Sequence, residues 1–375
     1  MRVLIDYRPA LRERSGAGEY THQLVKALAA ASRSHGRAEP LDLTLFSSSW
    51  KDRLAPDPDL GGVAMVDRRI PVRLLNFAWH RLGWPPAELV AGRDFDVTHS
   101  SHPLLLPARK AAQIITIHDL DFLGHPERTS AEIRRDYPDL ARQHARRADR
   151  IIVPSQFTAA EVGRRFDLPA ERIVICPPGA PDWKRRTAQP ANGYLLFLGT
   201  LEPRKNIGGL LDAYERLSGI GVPELVLAGK ATAEARPWLD RLTRPPLLGR
   251  VRYIGYVDPS KRRALYEGAR VLVQPSFEEG FGLPVLEAMT IGVPVVASRR
   301  GSLPEVVGDA GPLVDPEDSG ALAAAIGSLL EDHTRAAACV DKGIRRAAEF
   351  RWDRTAMRVL DAYRQAVTHR QCESA

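Results

Sequence analysis

The amino-acid sequence predicts an α/β protein built as two doubly wound domains, and three observations carry that prediction. Short apolar strands alternate with amphipathic helical stretches from end to end, the pattern of a parallel sheet covered by helices on both faces. A stretch rich in chain breakers, from Pro177-Pro178-Gly179 to Pro190-Ala191-Asn192-Gly193, interrupts the alternation near the middle, and the pattern then restarts. At 375 residues the chain is too long for one compact core and comfortable for two.

In the first half, residues 2–6 read as a strand, followed by a loop and a helix over about 17–31. Further short apolar runs lie at 42–46, 63–66, 96–99 and 113–117. A helix over 131–147 precedes a strand at 150–153, Ser155 caps a helix running to about Phe166, and 172–176 closes the series. In the second half the strands are 194–198, 224–228, 251–254, 270–274 and 294–297. Helices fall at 207–217, 260–267, 283–291 and 319–330, and the Ala-rich pieces 321–325 and 336–338 read as ordinary helix. In doubly wound sheets ligands bind beyond the carboxyl ends of the strands, so the loops just after strands are where chemistry is expected.

Composition narrows the function classes. With 44% hydrophobic and 26% charged residues the chain reads as soluble and globular. No apolar run approaches the ~18–20 residues that cross a bilayer. The opening Met1-Arg2-Val3-Leu4-Ile5-Asp6 meets an acid after three apolar residues and reads as a buried strand, so a cytoplasmic protein is expected. Cys176, Cys339 and Cys372 stand far apart, against a disulfide framework or a structural zinc site, and the scattered histidines form no metal motif. No metal and no cofactor is therefore expected. The net charge is +7, and residues 1–185 hold 28 basic against 23 acidic side chains. Arg134, Arg135, Arg142, Arg146, Arg147 and Arg150 crowd one helical stretch there. Such a patch attracts nucleic acid, anionic lipid or an anionic substrate, or is simply a solvated face. No zinc-finger or RNA-recognition signature accompanies it, and no nucleic-acid partner is expected.

Four loops carry the candidate chemistry. Arg14-Ser15-Gly16-Ala17-Gly18-Glu19 follows the first strand at the mouth of a helix, where Gly16 and Gly18 let backbone approach a phosphate or substrate, or merely form a tight turn. Position 21 is Thr where a dinucleotide fingerprint needs a third glycine, which counts against an NAD-dependent oxidoreductase. His118-Asp119 follows the strand at 113–117, at the lip where ligands sit, and His99 and His102 flank another strand end. In the second half, Gly199-Thr200-Leu201-Glu202-Pro203-Arg204-Lys205-Asn206 sets two adjacent cations at a helix start, an arrangement suited to a pyrophosphate. The densest constellation is Pro275-Ser276-Phe277-Glu278-Glu279-Gly280-Phe281-Gly282-Leu283-Pro284-Val285-Leu286-Glu287. Amides of Gly280, Phe281 and Gly282 can cradle a phosphate or a sugar. Glu279 can accept hydrogen bonds from hydroxyl groups, and Glu287, two turns along the helix, can reach a ribose diol.

The run from Glu279 to Glu287 resembles the E-x7-E motif of the retaining glycosyltransferases of family GT4. The segment Gly199–Asn206 resembles that family's G-x-x-x-P-x-K-N, Arg150–Ser155 with Phe157 and the later Pro177-Pro178-Gly179 resembles its ADxIIxxSxF…PxG stretch, and Phe350-Arg351-Trp352-Asp353 resembles its F-S-W before the final helix. The resemblance covers nearly the whole chain. It implies the GT-B fold, two Rossmann-like doubly wound domains facing across a cleft: an acceptor-binding domain at 1–185, a nucleotide-sugar-binding domain at 186–352, and a last helix within 353–375 that crosses back onto the first. It implies a retaining, metal-independent hexosyltransferase, with mannose favoured, that uses a GDP- or UDP-linked donor and a glycan or lipid-linked acceptor in cell-surface polysaccharide synthesis. By the same resemblance Arg204 and Lys205 neutralise the leaving diphosphate, Glu279 holds the transferred sugar beside the amides of 280–282, and Glu287 binds the ribose. His118 contacts the donor sugar, and Gly16 and Gly18 line the diphosphate or acceptor side. The loop Ser15-Gly16-Ala17-Gly18 departs from the longer glycine run of many members. Peripheral attachment to the inner face of an anionic membrane would use Arg134, Arg135, Arg142 and Arg146. The alternative is a nucleotide-sugar-binding or epimerase-type protein of the same fold that transfers nothing to a glycan.

Overall fold

The computed structural model describes residues 1–11, 14, 16–33, 41–55, 57–124, 131–217 and 221–374, and of these the side chains of 131–135, 373 and 374 are excepted. Ser15 of the first glycine loop, and the side chains of Arg134 and Arg135, therefore lie outside the described residues. The chain divides into two compact units, Met1–Gly179 together with Arg351–Ala375, and Ala180–Phe350.

The first unit contains β1 (Arg2–Asp6), α1 (Gly16–Arg33), β2 (Asp42–Ser48), β3 (Ala64–Arg68) and α2 (Val72–Phe77), which runs on as one π-helical turn, Ala78–Leu82. Then come α3 (Ala87–Ala91), β4 (Val97–Ser100), β5 (Ala112–Thr116), α4 (Asp121–Gly124), α5 (Ala131–Arg147), β6 (Arg150–Val153), α6 (Gln156–Phe166) and β7 (Ile173–Ile175). The seven strands are parallel, in the order β3-β2-β1-β4-β5-β6-β7. Runs such as Val3-Leu4-Ile5 and Ile151-Ile152-Val153 are wholly buried, as parallel strands covered on both faces must be. Ser155 caps α6, its Oγ accepting from the Thr158 N–H at 3.1 Å.

The second unit repeats the plan with β8 (Tyr194–Leu198), α7 (Ile207–Arg216), β9 (Leu225–Ala228), α8 (Arg236–Arg241), β10 (Val251–Tyr253), α9 (Pro259–Glu267), β11 (Ala269–Gln274) and α10 (Leu283–Ile291). It ends with β12 (Val295–Ser298), α11 (Leu303–Val307), β13 (Leu313–Val314), α12 (Ser319–Glu331) and α13 (His333–Ala347). Its six parallel strands run β10-β9-β8-β11-β12-β13. In each sheet the strand order reverses at one point, between β1 and β4 in the first unit and between β8 and β11 in the second. Connections leave in opposite directions there and open a crevice at the carboxyl ends.

After the second unit the chain returns to the first through α14 (Trp352–Ser374), which packs on α1 and over β5, β6 and β7. Its buried residues Ala356, Val359, Leu360, Tyr363 and Ala366 follow the spacing of one helix face. At the centre of that face the Tyr363 hydroxyl hydrogen-bonds His99 Nδ1 at 2.7 Å. Both units are therefore Rossmann-like α/β layers, as the alternation predicted. The short elements α2, α3, α4, α8, α11 and β13 had no counterpart in the sequence reading.

Candidate active site

In the second unit the loops leaving β8 and β11, the two strands at the switch point, are sewn together. Asn206 adopts a left-handed backbone (φ 56°), and its Oδ1 accepts from the Gly209 N–H at 3.1 Å to cap α7. Its Nδ2 donates to the carbonyls of Pro275 at 3.2 Å and Pro316 at 2.7 Å. The Phe277 N–H donates to the Arg204 carbonyl at 2.8 Å, and Arg204 Nη1 returns a bond to the Glu278 carbonyl at 3.3 Å. The segments of residues 199–206 and 275–282 thus form one rigid floor.

Glu279 is the centre of that floor. It is only 5% exposed, and Lys205, 7% exposed, places Nζ 2.6 Å from its Oε1. Gln274 Nε2 and Ser276 Oγ donate to the same oxygen at 2.8 and 2.9 Å, while Arg204 Nη1 stands 3.5 Å from Oε2. Burial works to raise the carboxyl, but the charges of Lys205 and Arg204 outweigh it and hold Glu279 below the ordinary carboxylate range, so it is ionised. The backbone is pinned as well: the Ser302 N–H and Oγ both donate to the Glu279 carbonyl, at 3.1 and 2.9 Å. Gly301 (φ 62°) lies so close that a Cβ would meet the Glu279 amide nitrogen and carbonyl oxygen at 2.8 Å each. Gly280, Phe281 and Gly282 lead directly into α10, with Gly282 as its N-cap at φ 97°. The Phe281 ring is turned inward, edge-on to Phe350 at 5.5 Å, and is buried.

Glu287 lies further along α10 and is also buried. Arg262 Nη1, at 3.3 Å, and the Tyr266 hydroxyl, at 2.7 Å, donate to its two oxygens from α9. The structure thus brings Arg204, Lys205 and Glu279 into direct contact and gives Glu287 a separate anchor. Sequence reasoning missed Gln274, Ser276 and Ser302; the available signal was a glutamine closing a strand directly after Val271-Leu272-Val273.

In the first unit His118 lies just past β5. Burial lowers its pKa to about 4, against the opposing pulls of Asp119 and the Ser101 backbone. Its Nε2 is buried and has no hydrogen-bond partner among the described residues. Tyr20 meets the ring edge-on at 5.0 Å. Gly16 (φ 40°) starts α1, and Gly18 packs against the turn after β1, where a Cβ would meet the Pro9 carbonyl oxygen at 2.5 Å. At the switch point itself stands a group that sequence reasoning left aside. Asp6, at the end of β1, is fully buried and accepts from Arg8 Nε at 2.8 Å and Nη2 at 2.7 Å, with His102 Nε2 at 3.2 Å. Burial would raise the Asp6 carboxyl, but Arg8 and His102 drive it far below its ordinary value.

Comparison with known proteins gives this geometry a family. The profile described as Glycosyl transferases group 1 matches residues 192–332, and that described as Glycosyltransferase Family 4 matches residues 14–182. O-antigen chain mannosyltransferase B of Escherichia coli is 33% identical, over 97% of this chain and all of that protein. MMP alpha-(1->4)-mannosyltransferase of Mycolicibacterium hassiacum is 30% identical, over 75% of this chain and 74% of that protein. Among solved structures, sucrose-phosphate synthase of Thermosynechococcus elongatus superposes with a TM-score of 0.78 at 23% identity, covering 97% of this chain and 98% of the other. HepE of Anabaena, in complex with UDP and glucose, gives 0.71 at 19% identity, covering 96% and 98%. At such identities the two structures establish the GT-B glycosyltransferase fold and nothing finer. The 33% identity over the full length of a mannosyltransferase, with a family match in each half, shows that this chain belongs to the glycosyltransferases described as group 1 and family 4.

Proposed function

We propose that this chain transfers a hexose, mannose favoured, from a GDP- or UDP-linked donor to a glycan or glycolipid acceptor in cell-surface polysaccharide synthesis, with retention at the anomeric carbon and without a metal. One observation carries the reading. Arg204 and Lys205 both stand against Glu279 beyond the two strands that flank the switch point of the second unit. The mannosyltransferase names of two relatives support the sugar, and HepE, solved with UDP and glucose, supports a nucleotide-linked donor.

In this reading charge builds on the departing diphosphate as its bond to the anomeric carbon breaks. Arg204 and Lys205 stabilise that charge, the task a metal performs elsewhere. Glu279, held ionised, accepts hydrogen bonds from hydroxyls of the transferred sugar, beside the amides of Gly280, Phe281 and Gly282. Glu287 is assigned the ribose. His118, neutral near pH 7, offers its unpartnered Nε2 to the donor sugar, and Gly16 and Gly18 are assigned to the diphosphate or acceptor side. The acceptor oxygen bonds to the anomeric carbon on the face the phosphate leaves, and its proton passes to a departing phosphate oxygen. The reaction is placed in the cytoplasm, at the inner face of the membrane.

The test begins with thermal unfolding in GDP, UDP, ADP and NAD at about a thousand times a micromolar affinity, where specific binding stabilises by ~4 kcal/mol. Stabilisation by GDP or UDP that Lys205→Ala removes is expected. Turnover of the matching nucleotide-sugar in EDTA, with an α-linked product by NMR, completes the expectation. A response to NAD alone, or a product of inverted configuration, overturns it.

A further inference from the structure

The segment of residues 68–84 in the first unit presents an outer face left exposed among the described residues. Along α2 and its π-turn, Leu75 and Trp79 point inward and are buried. The inner side is fully anchored: Arg8 Nη1 donates to Asn76 Oδ1 at 2.8 Å, its guanidinium lies 5.1 Å above the Trp79 ring, and Trp79 Nε1 donates to the Pro85 carbonyl at 2.9 Å. The outer side is equally apolar. Leu74, Phe77, Leu82 and Trp84 are each between 58% and 65% exposed, and Val72 adds to them. Single exposed apolar residues are ordinary, but five within thirteen positions concentrate apolar surface on one short segment, which marks an interaction surface.

Charge identifies the occupant. Residues 68–87 contain Arg68, Arg69, Arg73 and Arg81 and no acidic residue. Arg69 and Arg73 have no carboxylate partner among the described residues, whereas Arg81 pairs with Asp136. Large apolar side chains with a tryptophan at one end, framed by unneutralised arginines, match the boundary between anionic headgroups and acyl chains. The arginine-rich α5 is less available: Arg142 is paired with Asp139 at 2.9 Å, and Arg146 Nε is turned to the Phe166 carbonyl at 3.4 Å.

We infer that the outer face of residues 72–84 docks on an anionic lipid bilayer, inserting Leu74, Phe77, Leu82 and Trp84 while Arg69 and Arg73 engage lipid phosphates. This contact is independent of the sugar chemistry proposed above, and its test contains no sugar. Flotation of the full chain with vesicles of phosphatidylcholine, or of phosphatidylcholine with 30% phosphatidylglycerol, is expected to show binding to the anionic vesicles only. Leu74→Ser/Phe77→Ser should weaken it more than tenfold, and Arg69→Ala/Arg73→Ala by about fivefold per arginine. Both variants should keep the far-UV spectrum and the nucleotide-induced stabilisation of the parent, which separates lost docking from lost folding. Brominated lipid should quench tryptophan emission in Trp50→Phe and lose most of that effect in Trp84→Phe. The inference is overturned by absence of vesicle binding, by binding that Arg142→Ala/Arg146→Ala removes and the α2 variants do not, or by a soluble self-association that Leu74→Ser/Phe77→Ser abolishes.

Discussion

At the scale of the residue, the decisive pair is Lys205 and Glu279. A buried carboxylate deprived of its main counter-charge is costlier than an exposed one, typically by about 3–5 kcal/mol. Lys205→Met should therefore lower the thermal midpoint sharply, and adding Glu279→Gln should recover much of it, because the neutral amide no longer needs the ammonium. Turnover should fall in the single variant and stay low in the double. Recovery of activity together with stability would show that the pair serves folding alone. The stabilisation from Glu279 is present above its ordinary pKa of 4.5 and is lost as pH falls through its lower folded value, so neutral-pH comparisons are free of its titration. Both residues were legible in the sequence, since a cation or an acid in a glycine-bearing loop after an apolar strand has few structural reasons to be there. Gln274 and Ser276 were not, because a single polar residue at a strand end looks like the end of the strand. Asp6 was hidden in the same way: only the fold reveals that Arg8 turns back on it.

At the scale of the element, legibility followed length and contrast between faces. The helix Ala131–Arg147 and the strands Arg150–Val153 and Tyr194–Leu198 have the predicted limits, and most other strands shift by only a residue or two. Elements of five or six residues are too short for a period to register. In α2 the period is also erased, since Leu74 and Phe77 outside match Leu75 and Trp79 inside. The helix α14 was expected from about 353–368 and runs longer, Trp352–Ser374, with its apolar face set on the first sheet. Besides the Thr355 hydroxyl on the Pro177 carbonyl and Arg370 on Asp149, its attachment is polar where Tyr363 meets His99, whose other ring nitrogen bonds Thr116 Oγ1 at 2.8 Å. Tyr363→Phe leaves His99 Nδ1 buried without its partner and should cost about 1–3 kcal/mol in urea unfolding. An unchanged midpoint would mean that the hydroxyl contributes nothing net.

At the scale of the whole molecule, acid should act unequally on the two units. His80 and His99 are lowered to about 3, and His118 and His144 to about 4, in each case chiefly by burial, and all four belong to the first unit. An unfolded chain takes up these protons near pH 6.5 and the fold refuses them, so the stability they reflect is complete above that pH and drains away toward the folded values. Urea titrations at pH 7.5 and pH 5 should show the first unit weakening, with uptake of about four protons on unfolding at pH 5. A midpoint that does not move would contradict the burial of these rings. The division of the chain has a further consequence, for biosynthesis. The second unit is one uninterrupted segment, whereas the first needs α14, which the ribosome delivers only after Phe350. At about 5–20 residues per second, the sheet begun at Arg2 waits roughly 10–30 s with the floor for Val359, Leu360 and Tyr363 bare. The part made first is the part completed last, and a chaperone that shields an apolar surface has its longest opportunity there.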